Sequence, residues 1–190
     1  MSLDQGRARC AACLRPASTC ICHWATVVDN AIELLLLQHP LEQHEVKGTA
    51  ALLRLSLTRC QVLVNEQFDA AALGDLSHTA LLYPGTDPPP SLAPAPPRRL
   101  IVIDATWRKS RQMLARNPLL QGLPRLALRE LPASPAYAAL RKARRAEHLS
   151  SLEASVLALQ QLEPQPERYT PLLSAFEGFV AEQVGRRRER

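Results

Sequence analysis

The feature that most constrains the fold of this chain is an aliphatic run, Leu100 to Ile103, that ends at Asp104. Four consecutive residues of this kind are typical of a strand that is buried on both faces of a parallel sheet. A basic segment with helical spacing begins at Thr106. Because ligands bind at the carboxyl ends of the strands in open α/β sheets, we expect Asp104 to lie at the functional edge of the sheet.

Strand and helix patterns alternate along the chain, which predicts an α/β fold with a mainly parallel sheet. Besides the Asp104 strand, strands are predicted at residues 32–38, 61–64, 79–83 and 126–128. Helices are predicted at residues 46–59, 106–116, 150–162 and 171–184, and a helix or loop at 135–145. Residues 86–97 are rich in proline and are predicted to form a surface loop.

The sequence argues against several classes of protein. No segment approaches the roughly 20 apolar residues of a membrane helix. Residues 1–7 lack the apolar core of a secretory signal, so we expect a cytoplasmic protein with no membrane partner. The motifs Gly-x-Gly-x-x-Gly, Gly-x4-Gly-Lys and Gly-x-Ser-x-Gly do not occur. Their absence argues against a typical Rossmann dehydrogenase, a P-loop NTPase and an α/β-hydrolase.

Positive charge is concentrated in the second half of the chain. Residues 1–95 hold 6 Lys or Arg and 9 Asp or Glu, whereas residues 96–190 hold 17 and 9. Such an asymmetric basic half favours a polyanionic partner, most simply a nucleic acid. The alternative is a solvated basic surface without a partner.

Four of the five cysteines lie within 13 residues near the N-terminus: Cys10, Cys13, Cys20 and Cys22. Four thiolates can surround Zn²⁺ tetrahedrally and hold a segment too short to fold by itself. We therefore predict a zinc-binding segment with four cysteine ligands at residues 1–24 and a second domain at residues 25–190. Two disulfides, an iron–sulfur cluster and unmetallated thiols are the alternatives. Cys60 is predicted to be buried in the core.

Polar residues also follow the other predicted strands. The cluster after the first strand begins at His39 and includes His44; it could bind a metal, but more often such residues line a pocket or cap a helix. Another strand ends at a Pro84-Gly85 turn, which could border an adenosine or be an ordinary turn. Trp107 could stack on a nucleobase or pack in the core, and Tyr137 could stack as well.

The start of the helix predicted at residues 150–162 has two interpretations. Glu153 stands three residues after Ser150, which is the spacing of a capping box. Alternatively, the free amide groups of this helix start could bind a carboxylate or another polar ligand.

Taken together, these blocks resemble the DTW-domain family, the tRNA-uridine aminocarboxypropyltransferases. The matching pieces are the four cysteines, His39-Pro40, Gly48-Thr49, Leu82-Tyr83-Pro84-Gly85, Asp104-Ala105-Thr106-Trp107 and Ser150-Ser151-Leu152-Glu153. They occur in the family's order and span residues 10 to about 160. Ser151 departs from the family, which often has threonine there, but the hydroxyl is retained.

The resemblance implies a SPOUT-like fold with a trefoil knot and an enzyme that uses S-adenosylmethionine. Such an enzyme transfers the 3-amino-3-carboxypropyl group to N3 of a tRNA uridine and releases 5′-methylthioadenosine. Asp104, Thr106 and Trp107 would be the catalytic residues. Asp104 would either hold the ammonium group of the cofactor or take the uracil N3 proton.

The residues expected to bind S-adenosylmethionine flank these catalytic residues: Leu82, Tyr83, Pro84, Gly85, Asp104, Ala105, Leu149, Ser150, Ser151 and Glu153. Basic residues nearby would hold tRNA phosphates: Arg108, Lys109, Arg111, Arg141, Lys142, Arg144 and Arg145. Zinc would be structural. The alternatives are a SPOUT-type RNA methyltransferase and a non-catalytic zinc-bearing RNA-binding protein. The sequence leaves the oligomeric state open, with a monomer slightly favoured.

Overall fold

The computed structural model describes residues 8–43, 45, 48–84, 96–129, 136 and 149–188, except for the side chains of residues 187 and 188. Several residues singled out from the sequence lie outside these ranges: His44, Gly85, residues 86–95 of the proline-rich segment, residues 135–145 except 136, Tyr137, Arg141, Lys142, Arg144 and Arg145.

In the part of the chain that the structure describes, five strands form one parallel sheet, which confirms the predicted α/β class. The strands are β1 Glu33–Gln38, β2 Cys60–Val64, β3 Thr79–Leu82, β4 Arg99–Asp104 and β5 Arg125–Leu126. Their order in the sheet is β2-β1-β4-β3-β5, and every neighbouring pair is parallel. The carboxyl ends of β1 and β4 therefore meet at one edge, in the centre of the sheet.

Within the described ranges, six α-helices surround the sheet: α1 Ala50–Ser56, α2 Ala70–Leu73, α3 Trp107–Arg116, α4 Pro118–Gln121, α5 Ser151–Leu162 and α6 Thr170–Arg188. Short 3-10 helices cover Ala17–Thr19, Cys22–Trp24, Pro40–Glu42 and Pro166–Tyr169. The positions of α3 and α5 confirm the predicted helices within one residue at each end.

Other predicted bounds were wrong for local reasons. Helix α1 ends at Ser56 rather than residue 59, because the backbone of Leu57 is extended as the chain turns toward β2. Helix α6 continues to Arg188 instead of ending at residue 184. Strand β5 is shorter than predicted and begins one residue earlier. Helices α2 and α4 were missed because four residues are too few to show a helical period.

The apolar residues of the strands belong to two hydrophobic layers, one on each face of the sheet. On one face, alternate residues of β1 and β4 such as Leu34 and Leu100 pack with α1, α5 and α6. On the other face, their neighbours Leu35 and Ile101 pack with α2, α3 and α4. Since both faces are covered, the strands lack the polar alternation of a half-exposed sheet.

The cysteine segment packs against the first of these layers. Cys13 and Ile21 are buried within the core cluster that includes α1 and α6. The ring of Trp24 lies so close to α6 that a Cβ at Gly178 would approach Trp24 Cζ3 to 2.2 Å. Arg54 of α1 donates a hydrogen bond to the carbonyl of Ala12. These contacts fix the segment on the side of the sheet that carries α6.

The chain between β5 and α5, residues 127–150, is described only in part. The trefoil knot and the SPOUT-like class therefore stay predictions. Among the helices that the structure describes, none is both long and apolar enough to span a membrane.

Candidate functional site

Asp104 ends β4 at the central edge of the sheet, as the sequence predicted, and is only 8% exposed. Its register partner on β1 is Gln38, which is 6% exposed. Alternation along both strands turns the two side chains toward the layer that contains α5. Gln38 Nε2 donates to Asp104 Oδ2 at 2.7 Å. Strand pairing alone thus brings an amide donor to one oxygen of the carboxylate.

The N-terminus of α5 supplies a donor to the other oxygen. Ser151 Oγ donates to Asp104 Oδ1 at 2.5 Å. Ser150 and Glu153 form the capping box that the sequence predicted: Ser150 N donates to Glu153 Oε2 at 2.8 Å, and Glu153 N to Ser150 Oγ at 3.1 Å. Ser150 and Glu153 therefore hold the helix start in place, and Leu149, which is half-buried, precedes it.

The residues after Asp104 turn the chain into α3. Thr106 is exposed and caps the helix, since its Oγ1 accepts from Lys109 N at 3.5 Å. Ala105 is half-buried against the layer that includes α3. The structure thus gives Thr106 a local capping role, and its predicted catalytic role stays a prediction.

Trp107 is 41% exposed, so the structure does not support the alternative that it packs in the core. Its ring lies edge-on to Tyr83, with the centroids 6.0 Å apart and the planes at 70°. The Arg125 guanidinium lies 5.5 Å from the centroid of the Tyr83 ring, and Ser110 Oγ donates to Tyr83 Oη at 3.4 Å. The Tyr83 side chain therefore connects the end of β3 to the start of α3. Its neighbours in sequence are Leu82, which is half-buried, and Pro84, which is exposed.

The basic residues predicted to contact RNA fall into two groups. Arg108 and Arg111 are exposed on α3, and neither forms an ion pair within the part of the chain that the structure describes. Lys109 instead pairs with Glu42 at 2.9 Å and ties α3 to the loop after β1. Its charge is thus partly neutralised in this structure, and its predicted role in binding phosphate stays a prediction.

His39 supports the loop after β1 and does not belong to a metal cluster among the described residues. It is buried, and its Nδ1 accepts from Leu41 N at 3.1 Å. Its Nε2 lies 3.3 Å from Glu66, which also pairs with Arg116. Of the three interpretations of this cluster, capping a short helix is the one that the structure shows for His39.

The four N-terminal cysteines converge as the sequence predicted. Their Sγ atoms all lie within 4.8 Å of one another, with Cys10 and Cys22 at 3.6 Å and Cys13 and Cys20 at 3.8 Å. Four thiolates at about 2.3 Å from a tetrahedral zinc ion would be about 3.8 Å apart. A disulfide requires about 2.05 Å, and all four cysteines are free thiols. The donors and their spacing therefore fit a tetrahedral metal ion.

Two thiols of this cluster differ strongly in pKa. Hydrogen bonds from the backbone amides of Cys13 and Ala12 lower the pKa of Cys10 to about 6. Desolvation, followed by hydrogen bonds among the thiols, raises the pKa of Cys22 to about 12. A bound cation would remove this asymmetry, because coordinating thiols are deprotonated.

Sequence reasoning missed Gln38. The available signal was a polar residue at the end of an aliphatic strand, directly before His39-Pro40. Its contact with Asp104 depends on the pairing of β1 with β4, which lie 66 positions apart in sequence at this pair. Only the sheet order reveals that contact.

The DTW domain family model matches residues 7–184. The chain belongs to the DTW domain family. The match covers both the cysteine segment and the Asp104 edge of the sheet, so that both centres lie within the DTW domain.

Curated relatives of this DTW domain chain share one kind of name. The tRNA-uridine aminocarboxypropyltransferase 2 of Drosophila melanogaster is 30% identical over 175 residues, which cover 85% of this chain and 69% of the relative. The Macaca fascicularis protein of that name is 28% identical over 172 residues, covering 83% and 57%. The Arabidopsis thaliana tRNA-uridine aminocarboxypropyltransferase A is 27% identical over 130 residues, covering 55% and 49%. The match with the macaque protein thus spans little more than half of that protein. No solved structure matches the chain significantly.

Proposed function

We propose that this chain transfers the 3-amino-3-carboxypropyl group of S-adenosylmethionine to N3 of a uridine in tRNA, as the names of its relatives suggest. The observation that carries the proposal is the Asp104 carboxylate, which lies at the carboxyl edge of the parallel sheet and faces the start of α5. This is the edge where α/β proteins bind their ligands.

The reaction is a displacement at carbon. Uridine N3 bonds to the carbon of the aminocarboxypropyl group that is attached to sulfur, and the N3 proton passes to water. The carbon–sulfur bond breaks with its electron pair on sulfur, so 5′-methylthioadenosine leaves uncharged. Each of the three carbons on the sulfonium is electrophilic, so the product depends on which carbon faces the nucleophile.

The chain's own residues would orient the reactants. Asp104 and the start of α5, with Ser150 and Ser151, are suited to the charged ends of the amino acid part, because a carboxylate binds an ammonium group and free helix amides bind a carboxylate. Leu82 to Gly85, Ala105 and Leu149 would border the adenosine, and Glu153 would support this site through its capping box. Thr106 and Trp107 would complete the site at the start of α3.

The tRNA would lie over the start of α3. Arg108 and Arg111 are exposed there and would bind phosphates, while Trp107 would contact a nucleobase. We extend the phosphate-binding role to Lys109 and to the basic residues at 141–145, as the charge pattern suggests. We further propose that the chain acts in the cytoplasm, as a monomer.

The four cysteines would hold a structural Zn²⁺, which supplies no chemistry to the transfer. Their geometry supports this assignment, because all four sulfur atoms lie within 4.8 Å of one another and two pairs are close to the tetrahedral spacing of about 3.8 Å. We propose residues 1–24 as this metal-binding segment, and residues 25–190 as a catalytic domain of SPOUT-like class with a trefoil knot.

Doubly labelled S-adenosylmethionine tests the function. The chain is incubated with unmodified tRNA and a cofactor that carries one radioisotope in the methyl group and another in the carboxyl carbon. We expect the carboxyl label on uridine and the methyl label in 5′-methylthioadenosine. Methyl label on the RNA would identify a methyltransferase. Binding of tRNA with neither label transferred would identify a non-catalytic RNA-binding protein.

A further inference from the structure

We infer that Gln38 is a positioning residue: with the Ser151 hydroxyl, its side-chain amide holds the Asp104 carboxylate as an oriented, ionised acceptor for the ammonium group of S-adenosylmethionine. This inference rests on the proposed function and deepens it. It gives Asp104 the role of binding the cofactor's amino group and leaves the uracil N3 proton to pass to water.

The geometry supports the orienting role. Gln38 and Asp104 are register neighbours on adjacent strands, both less than a tenth exposed, and one donor reaches each carboxylate oxygen. Two donors from separate elements, one on β1 and one on α5, fix the plane of the carboxylate as well as its position. An ammonium group carries three donors, and a carboxylate with about four acceptor sites can bind it beside neutral hydrogen-bond donors.

The chemistry of the donors supports the ionised form. Gln38 Nε2 and Ser151 Oγ both donate, and a negative carboxylate is an acceptor that can receive both bonds. Hydrogen bonds to both oxygens favour the negative form. Such a group serves poorly as a base for the weakly acidic uracil imide, but well as a counter-ion for an ammonium group.

The orienting role matters because the reaction must select one carbon of three. A fixed contact at the amino group limits the positions that the aminocarboxypropyl limb can take. Replacement of Gln38 with an apolar residue would leave Asp104 in place on β4 but would remove the donor to its Oδ2. Binding of ligands that lack the amino group should not depend on that donor.

Isothermal titration calorimetry with two ligands tests this selectivity. S-adenosylmethionine carries the ammonium group, and 5′-methylthioadenosine has the same nucleoside without the amino acid limb. For Gln38→Leu we expect about 10- to 100-fold weaker binding of S-adenosylmethionine, the range for a hydrogen bond to a charged group. Binding of 5′-methylthioadenosine should change less than about twofold. Decarboxylated S-adenosylmethionine, which keeps the amine, should lose as much affinity as the parent.

The matched control is Gln61→Leu, the same substitution at an exposed position of neighbouring strand β2, which should leave all three affinities unchanged. Ser151→Ala tests the second donor independently, should Gln38→Leu not fold. It should lose more affinity for S-adenosylmethionine than Ser151→Thr, which keeps the hydroxyl.

Two results would overturn the inference while the proposed function stands. One is equal loss of affinity for both nucleosides in Gln38→Leu, which would indicate general damage to the site. The other is unchanged affinity for S-adenosylmethionine in Gln38→Leu or, if that variant does not fold, in Ser151→Ala. A wild-type chain that binds 5′-methylthioadenosine but not S-adenosylmethionine would overturn the proposed function and the inference together.

Discussion

The two polar centres of this protein differ in what holds their groups together. At the sheet edge, Asp104 accepts hydrogen bonds from Gln38 and Ser151, so the protein itself supplies the partners. In the cysteine segment, four thiols converge that are weak donors when protonated and repel one another when ionised. The comparison indicates that strand register and the start of α5 preorganise the first centre, whereas the second would be completed by the cation that we propose it binds.

The largest expected effect follows from loss of a metal ligand. Cys13→Ser should reduce the free energy of unfolding by more than about 4 kcal/mol if zinc is lost, because metal loss is among the few changes that reach this size. Cys13 is both a ligand candidate and buried in the core. Elemental analysis and denaturant unfolding would measure the effect. Cys60→Ser, outside the cluster, is the control and should keep its full metal content.

A Cys13→Ser variant with wild-type zinc content would contradict this view of the second centre. Chelation of the metal from the wild-type protein should reproduce the destabilisation without any mutation.

The sheet edge should respond in the opposite way, with loss of activity but not of stability. Asp104→Asn replaces one carboxylate oxygen with an NH2 group and removes the negative charge, so the site loses its counter-ion for an ammonium group. We expect kcat/KM to fall by about 100- to 1000-fold, as for loss of one preorganised electrostatic contact. Transfer of labelled aminocarboxypropyl to tRNA measures this, with metal content and melting temperature as controls. Wild-type activity in Asp104→Asn would show that the carboxylate is dispensable.

The two centres also differ in how far the sequence predicts them. The cysteines are close in sequence, so their spacing alone predicts the cluster. The strand ending at Asp104 is equally visible, because an aliphatic run buried on both faces has few alternatives. Gln38 is not visible in this way, because its role depends on β1 lying beside β4. Helix α4 is hidden for another reason: one turn has no measurable period.

A substitution where the cysteine segment contacts α6 should have an effect of intermediate size. Gly178→Ala places a methyl group against the Trp24 ring, where the nearest ring atom is at 2.2 Å. We expect a loss of about 1–3 kcal/mol in stability, the usual effect of overpacking. Gly185→Ala on the same helix meets no heavy atom within 4 Å and should instead stabilise α6 by about 0.5–1 kcal/mol. Urea unfolding measures both, and destabilisation of equal size in the two variants would show that Trp24 does not pack against Gly178.

The smallest effect concerns which centre faces the tRNA. Arginines beside the cysteine segment are used in docking it: Arg54 donates to the carbonyl of Ala12 and Arg186 to that of Ser18. Arg108 and Arg111 are instead exposed beside Asp104. The phosphates should therefore contact the sheet edge rather than the cysteine segment.

Replacing both Arg108 and Arg111 with alanine should weaken tRNA binding a few-fold and reduce the slope of log K against log salt by about 1.5, since each phosphate contact contributes about 0.7–0.9. Arg116→Ala is the control, because Arg116 lies on the same helix but pairs with Glu66. Titrations of tRNA at several salt concentrations give both slopes. An unchanged slope in the double variant, together with a reduced slope in Arg54→Ala, would contradict this prediction. It would indicate that the tRNA phosphates contact the cysteine segment rather than the sheet edge.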